Sequence, residues 1–507
     1  MMKKESTGKR LAKNTFYMYI RMAILTIITL YTSRVVLQQL GVDDFGIYGV
    51  VGSVVAMFSS LRGLFATSTQ RFVNYSMGEG KYDKVSTIFN MSVFIHLIIS
   101  LILFILGEGF GVWFIECKMS IEASRVFAAH WVLQFSLLSV VMSMITTPFD
   151  ALVLAHERMD FYAYIAVLEA FLRLAIVFAL GYSPIDKLIL YAILQAIISF
   201  LIFFVNLWYC RTRFSECRFM RTWDKKVFMD MSAFAGWNFL GNTAFAITQN
   251  GLNMLINTFS GVAANAARTI AYQANAALGK ALDAVTTVIN PYCTKTYASG
   301  HVEKTLEMIY LASKIYIIIQ ILIALPLCVF SSEILKLWLG KVPDYTIGFM
   351  KIIMLHSVIR SIHYPLNNLF KTVGNLKRYQ IAEIIILSLP LLASYVLLLY
   401  GCEPYVVFWT LIVFEIINYL VIITIAKMDA HLPIGTYIRR TIMPCVCIVF
   451  AAVIEYFICT ASHGIFYRLV AMFISLLSLL MIMFFIGLNT YERLLITNLL
   501  KFKKQTS

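Results

Sequence analysis

The sequence predicts an all-α polytopic membrane protein with about fourteen transmembrane helices, built as two pseudo-symmetric six-helix lobes plus two C-terminal helices. Three observations predict it. The 507 residues are 60% hydrophobic and 14% charged, where a soluble chain carries roughly 25% charged residues to cover its surface. Apolar runs of spanning length recur along the whole chain, with no strand-like alternation. The connections between them alternate between basic and nearly bare.

In order, the expected spans of the first lobe are 14–38, 45–72, 87–108, 125–155, 162–181 and 187–209. Those of the second are 227–259, 264–292, 306–330, 346–373, 380–400 and 405–426, and the two extra helices are 439–459 and 466–487. Each is long enough to cross a ~30 Å hydrocarbon core at 1.5 Å per residue. The first run is too long for a signal-peptide core and lacks a small-residue cleavage site, so it is expected to be retained as helix 1. The domain organisation follows as 1–209, a basic linker 210–226, 227–426, and 427–507 with the additional helices and tail.

The net charge of +15 tests a different function class. In a soluble protein it would suggest nucleic acid, but here it falls in alternate connections. These hold Lys3, Lys4, Lys9, Arg10 and Lys13; Lys81 and Lys84; Arg158; Arg211, Arg213, Arg218, Arg221, Lys225 and Lys226; Lys295 and Lys304; Lys377 and Arg378; Lys427; and Arg493, Lys501, Lys503 and Lys504. The opposite set carries Lys118, Lys336 and Lys341 beside Asp43, Asp44, Glu116 and Glu122. Basic loops stay cytoplasmic, so both termini are expected on the cytoplasmic side, and no nucleic-acid partner is expected. The nine cysteines contain no CxxC pair, and Cys445 and Cys447 fall on different helix faces, which argues against a shared metal.

An internal repeat underlies the two lobes. Leu40-Gly41-Val42 and Gly80-Lys81-Tyr82-Asp83-Lys84 are echoed 220 residues later by Ser260-Gly261-Val262 and Gly300-His301-Val302-Glu303-Lys304. Pro148 with His156-Glu157-Arg158 is echoed by Pro365 with Gly374-Asn375-Leu376-Lys377-Arg378, at a slightly shorter spacing. About six spans separate the copies, so they share one orientation, as in transporters built from parallel halves whose ligands bind near the midplane.

Ionisable groups within spans cost several kcal/mol unless they face a bundle interior or a wet cavity. His356, Arg360, His363, Asn367 and Lys371 form one stripe of span 10, with no compensating partner on that helix. Ser136, Ser143 and Thr147 form the corresponding stripe of span 4. Span 7 presents Asn238, Asn242, Gln249 and Asn253, and span 8 aligns Arg268, Asn275 and Asp283 beside Lys280. Arg21 and Arg62 sit at depth in spans 1 and 2, and Arg34 and Arg71 near their ends, where they can snorkel. The alternative for the amide stripe is interhelical hydrogen bonding. Glu169 and Arg173, four apart, are expected to neutralise each other, and Lys280 with Asp283 likewise. Glu108, Glu383, Glu415 and Glu455 are expected to be structural. With Arg21, Arg62, Arg268, Lys280 and Arg360 against Asp283, the cavity is expected to be positive and its ligand an anion, best a phosphate chelated by guanidinium groups.

The run from Arg34 to Tyr48, Arg-Val-Val-Leu-Gln-Gln-Leu-Gly-Val-Asp-Asp-Phe-Gly-Ile-Tyr, followed by Thr69-Gln70-Arg71-Phe72 and the Gly80 loop, resembles the polysaccharide-type flippases of the bacterial inner membrane. These are related to the multidrug and toxin extrusion transporters and to the peptidoglycan-precursor flippase. The resemblance covers nearly the whole chain. It implies a V-shaped bundle, alternating access and an undecaprenyl-diphosphate-linked oligosaccharide as cargo, with a polysaccharide polymerase and export proteins as partners. In the peptidoglycan-precursor flippase, arginines on spans 1, 2 and 8 engage the diphosphate, and Arg21, Arg62 and Arg268 are similar by span position. Two additional C-terminal helices are also seen there. The expected function is therefore translocation without chemical catalysis. The rivals are a drug/cation antiporter of the same superfamily, which would favour carboxylates deep in spans 1 and 2, and an integral-membrane polymerase or glycosyltransferase, which would need larger outer loops. No cofactor is expected; sodium and protons are both open as coupling ions, protons being suggested by the presence of His356 and His363.

Overall fold

The computed structural model describes residues 7–117, 121–181, 184–219, 223–339, 342–462, 464–490 and 492–493. Lys3, Lys4, Lys118, Arg221, Lys341, Lys501, Lys503 and Lys504 lie outside them, as does the side chain of Arg34. The described residues are helices joined by short connections, with no strand among them.

The chain opens with α1 (Thr7–Gly78), whose 72 residues are far too many for one crossing. The helix is divided at Gly41, which adopts φ 81° and ψ 174°. The later α6 (Lys225–Ala298) is divided in the same way at Gly261, with φ 80° and ψ 176°. A side chain strains this left-handed backbone, so glycine is required at both positions. The spans expected as 14–38 and 45–72, and as 227–259 and 264–292, are therefore helices joined across a single glycine rather than across loops. Gly80 and Gly300, also 220 residues apart, have φ 74° and 83° and end the two long segments.

The remaining elements of the first copy are α2 (Tyr82–Cys117), α3 (Ala123–Ala155), α4 (Met159–Leu180) and α5 (Lys187–Arg213). In the second copy they are α7 (Val302–Val329), the short α8 (Ser331–Leu339), α9 (Thr346–Ser361), α10 (His363–Val373), α11 (Lys377–Leu399) and α12 (Val406–Ala430). The expected span 346–373 is thus broken at Ile362, and Pro365 stands in the first turn of α10, where its missing N–H is tolerated. A short α13 (Ile434–Tyr437) leads through a wider turn into α14 (Met443–Ala461), and α15 (Ile465–Ile482) ends in a similar turn at Met483–Gly487. Nine helices among the described residues are apolar and long enough to span on their own. The two halves each of α1 and α6, and the broken pair α9–α10, bring the total to about fourteen.

The chain divides into two compact units, Lys13–Gly236 (lobe 1) and Trp237–Ser507, the latter together with Met1–Ala12 (lobe 2). In lobe 1, α3 packs on α2 and α5. The approach to α2 is close: a Cβ at Gly111 would meet Leu133 Cδ1 at 2.6 Å. Along α3 the core falls into two clusters. One holds Val132, Leu133 and Leu137 with Leu188 and Ala192; the other holds Phe149, Leu152 and Val153 with Val85 and Phe89. Between them α3 carries Ser139, Ser143, Thr146 and Thr147, so the middle of the lobe is polar where its ends are apolar. The basic linker after α5 is packed against the lobe. Phe214 and Cys217 are buried, His156 stacks on Phe214 at 4.0 Å, and Asn90 Nδ2 donates to the Arg218 carbonyl. In lobe 2 a large core cluster joins α6, α7, α9, α12, α14 and α15.

Candidate functional site

The polar middle of lobe 1 encloses a cavity of about 340 Å³, within the size range of small-molecule sites. Arg21 and Arg62 from the two halves of α1 reach it, as do Asp150 from α3 and Tyr162, Glu169 and Arg173 from α4. Arg62 is committed: its Nη2 donates to Asp150 Oδ2 at 2.8 Å and its Nε to Thr147 Oγ1 at 3.2 Å. Arg173 is committed as well, to Glu169 at 2.7 Å and to Gln195, so the expected neutralising pair is present. Arg21 differs. Its guanidinium lies over the Tyr162 ring at 4.7 Å, its Nε is buried without an acceptor, and it has no carboxylate within ion-pair reach among the described residues. Two arginines are balanced by two carboxylates, and one is left over.

Asp150 is the residue that sequence reasoning missed. It continues the Ser143–Thr147 stripe one turn further, which was the available signal. Pro148 beside it has no N–H for the Met144 carbonyl, so the helix ladder is interrupted at the cavity wall.

Lobe 2 gathers its charges differently. His356, Arg360 and His363 were expected to have no partner on their own helix, and among the described residues α9 and α10 supply none. It comes from α12: Glu415 Oε1 lies 3.1 Å from His363 Nδ1, and Oε2 lies 3.7 Å from His356 Nε2. The other His363 nitrogen faces the Tyr379 hydroxyl at 3.4 Å and Glu383 at 4.0 Å. With Nδ1 donating to Glu415, Nε2 is placed to accept from Tyr379. The Arg360 guanidinium rests over Phe245 at 4.5 Å. Glu415 was expected to be structural, with a coupling site as the alternative. It sits mid-way along α12, is 2% exposed, and is the hub of this cluster. Glu383 and Glu415 also correct the charge balance, since the count of cations against Asp283 alone omitted them.

The other expected site residues are dispersed. Arg268 is buried, bonded through Nη1 to Asn253 and through Nη2 to the Gln249 carbonyl and side chain, and lies over Tyr272 at 4.3 Å. Here the amide stripe of span 7 serves interhelical hydrogen bonding. Asn238 is buried and its carbonyl accepts from Asn242. Asn275 accepts from Ser357 at 2.6 Å and ties α6 to α9. Asn367 is half-buried with its side-chain oxygen unpaired. Lys280 and Asp283 are both exposed, and the expected ion pair between them is absent among the described residues. Glu108 accepts from Gln134, and Glu455 accepts from Ser475 and Ser478. No group of three or more His, Cys, Asp or Glu side chains is arranged to hold a metal among the described residues, and the cysteines are free.

No protein-family model matches the chain, and no curated protein matches it. Solved structures do. A crystal structure of a MATE mutant superposes with a TM-score of 0.72 at 13% identity, over 84% of this chain and 97% of that one. An outward-facing multidrug-resistance MATE transporter of the MOP superfamily gives 0.72 at 14% identity, over 85% and 99%. A MOP-superfamily transporter from Pyrococcus furiosus Vc1, described as having a binding pocket of reverse polarity, gives the same values. At these identities the likeness establishes the fold: an all-helical bundle of the MATE and MOP transporter kind.

Proposed function

We propose that the chain is a flippase that moves a lipid-linked, diphosphate-bearing oligosaccharide across the inner membrane by alternating access, for surface polysaccharide biosynthesis. The transporter fold supports a membrane transporter, and the observation that carries the choice of cargo is Arg21. Its guanidinium lines the lobe 1 cavity with no carboxylate partner among the described residues. A guanidinium within a membrane span recruits an anion, and a phosphate accepts its two parallel N–H groups. Arg62, half-exposed and using only two of its donors on Asp150 and Thr147, can share that anion.

The direction of movement suits an anion. Across an inside-negative membrane, outward transfer of one negative charge is favoured by about 2.3 kcal/mol per 100 mV. A polymerase and export proteins would consume the delivered unit on the far side. The Glu415 cluster, with His356 and His363, is available for a coupling proton.

A second reading rests on Asp150 and Glu169 in the same cavity. Two carboxylates there would suit a drug/cation antiporter. Proteoliposomes separate the two. The flippase reading expects translocation of a fluorescent polyprenyl-diphosphate sugar and no uptake of a lipophilic cation dye; dye transport without lipid transport favours the antiporter.

A further inference from the structure

We propose that lobe 2 binds an anionic phospholipid in the membrane leaflet remote from the basic loops, with one chain between α7, α9 and α14 and its phosphate on Lys351. The site is independent of the cargo reading. It begins with a cavity of about 290 Å³ in lobe 2, walled by aliphatic side chains such as Ile321 and Leu325 of α7, Leu355 and Val358 of α9, and Ala452 and Val453 of α14. Lys351 is the one charged residue of the lining. Its Nζ donates to the Tyr456 hydroxyl at 3.1 Å, and no carboxylate lies within ion-pair reach of it among the described residues. An ammonium has three N–H groups. One neutral acceptor leaves it short in a low-dielectric setting, where an intramembrane cation calls for a counter-charge.

The depth fits a lipid. α7 and α14 end, and α9 begins, at the membrane face opposite the Gly300 turn and Lys377. Lys351 is five residues inside the start of α9, and Tyr456 five inside the end of α14, so both lie ~7.5 Å below that face. Lysines at this level reach headgroups. The apolar lining continues to Val358 and Val449, seven residues further along the two helices and ~10 Å deeper. Val453 and Phe457 at its edge are exposed on the isolated chain, which leaves the cavity open to lipid. An apolar molecule would fill the volume but leave Lys351 uncompensated. A zwitterionic lipid would bring a second cation beside it. An anionic glycerophospholipid meets both demands.

Native mass spectrometry of the full chain from mixed micelles of phosphatidylglycerol and phosphatidylcholine tests this. One retained phosphatidylglycerol per chain is expected, with retention reduced about fivefold in Lys351→Met, the weight of one cationic contact. Lys351→Arg should retain the lipid, and Ala452→Phe, which fills the cavity, should lose it while keeping Lys351. Equal retention of the two lipids by the wild type overturns the proposal without need of any variant. So does unchanged retention in Lys351→Met, or recovery of a polyprenyl diphosphate in place of a glycerophospholipid.

Discussion

The two lobes share a repeat, yet they treat intramembrane charge in opposite ways. In lobe 1, Arg21, Arg62, Asp150, Glu169 and Arg173 line a cavity, and their pairing leaves one guanidinium over. In lobe 2, His356, His363 and Glu415 are 9% exposed or less and satisfy one another. The difference shows why a charged residue within a span does not by itself mark a ligand site. What matters is whether its counter-charge is already built in. The lobe 2 stripe, the stronger candidate by sequence, is the one whose partners are supplied internally.

Removing one partner from each lobe should separate the cases. Glu415→Gln removes the buried carboxylate that His363 Nδ1 donates to and His356 faces, and should cost about 1–3 kcal/mol, the range for a buried hydrogen bond to a charged group. Asp150→Asn should cost about 1 kcal/mol or less, because its partner Arg62 is 40% exposed and can be solvated in the cavity. Thermal unfolding in detergent reads both, and equal losses would erase the distinction between the lobes.

The next effect asks how far the lobes are alike. Gly41→Ala and Gly261→Ala each force a side chain into left-handed backbone with nothing within 4 Å to clash. Each should lose about 1–2 kcal/mol, and by similar amounts. A neutral result at one site would break the equivalence of the repeats.

The smallest effect belongs to lobe 1 alone and lies outside the spans. The His156 imidazole, 3.6 Å from Glu216 in the packed linker, holds that carboxyl below its ordinary value, against the opposing effect of burial. A carboxyl with a depressed folded pKa contributes stability that is present above its unfolded pKa of about 4.3 and lost as pH falls through the folded value. Glu216→Gln should therefore lower Tm at pH 6 by an amount worth less than about 1 kcal/mol, and should match the wild type once the carboxyl is protonated. A gap that widens on acidification would reverse the assigned sign.

The repeat was legible because Gly41, Gly80, Gly261 and Gly300 serve a backbone requirement that only glycine meets freely, so their spacing survives in the residues themselves. The helix faces were legible from periodicity. Partners across helices were not. Nothing in the spacing of α9 and α10 says that Glu415 on α12 stands opposite, and nothing in α1 says that Asp150 of α3 meets Arg62. Periodicity fixes a face; packing decides what it faces. Asp150 was accessible as an extension of the Ser143–Thr147 stripe, one helical turn further on.

The central claim is that the uncommitted guanidinium of Arg21 recruits an anionic headgroup. It is tested most directly by comparing wild type, Arg21→Gln and Arg21→Lys in liposomes carrying a polyprenyl-diphosphate sugar, with an imposed potential. The account predicts that the potential which drives anions outward accelerates the wild type. Arg21→Gln should be slowed about 100-fold, a loss of about 2.7 kcal/mol, with its Tm unchanged, and Arg21→Lys should be partly active. Full-rate transport by Arg21→Gln under the same potential would contradict it.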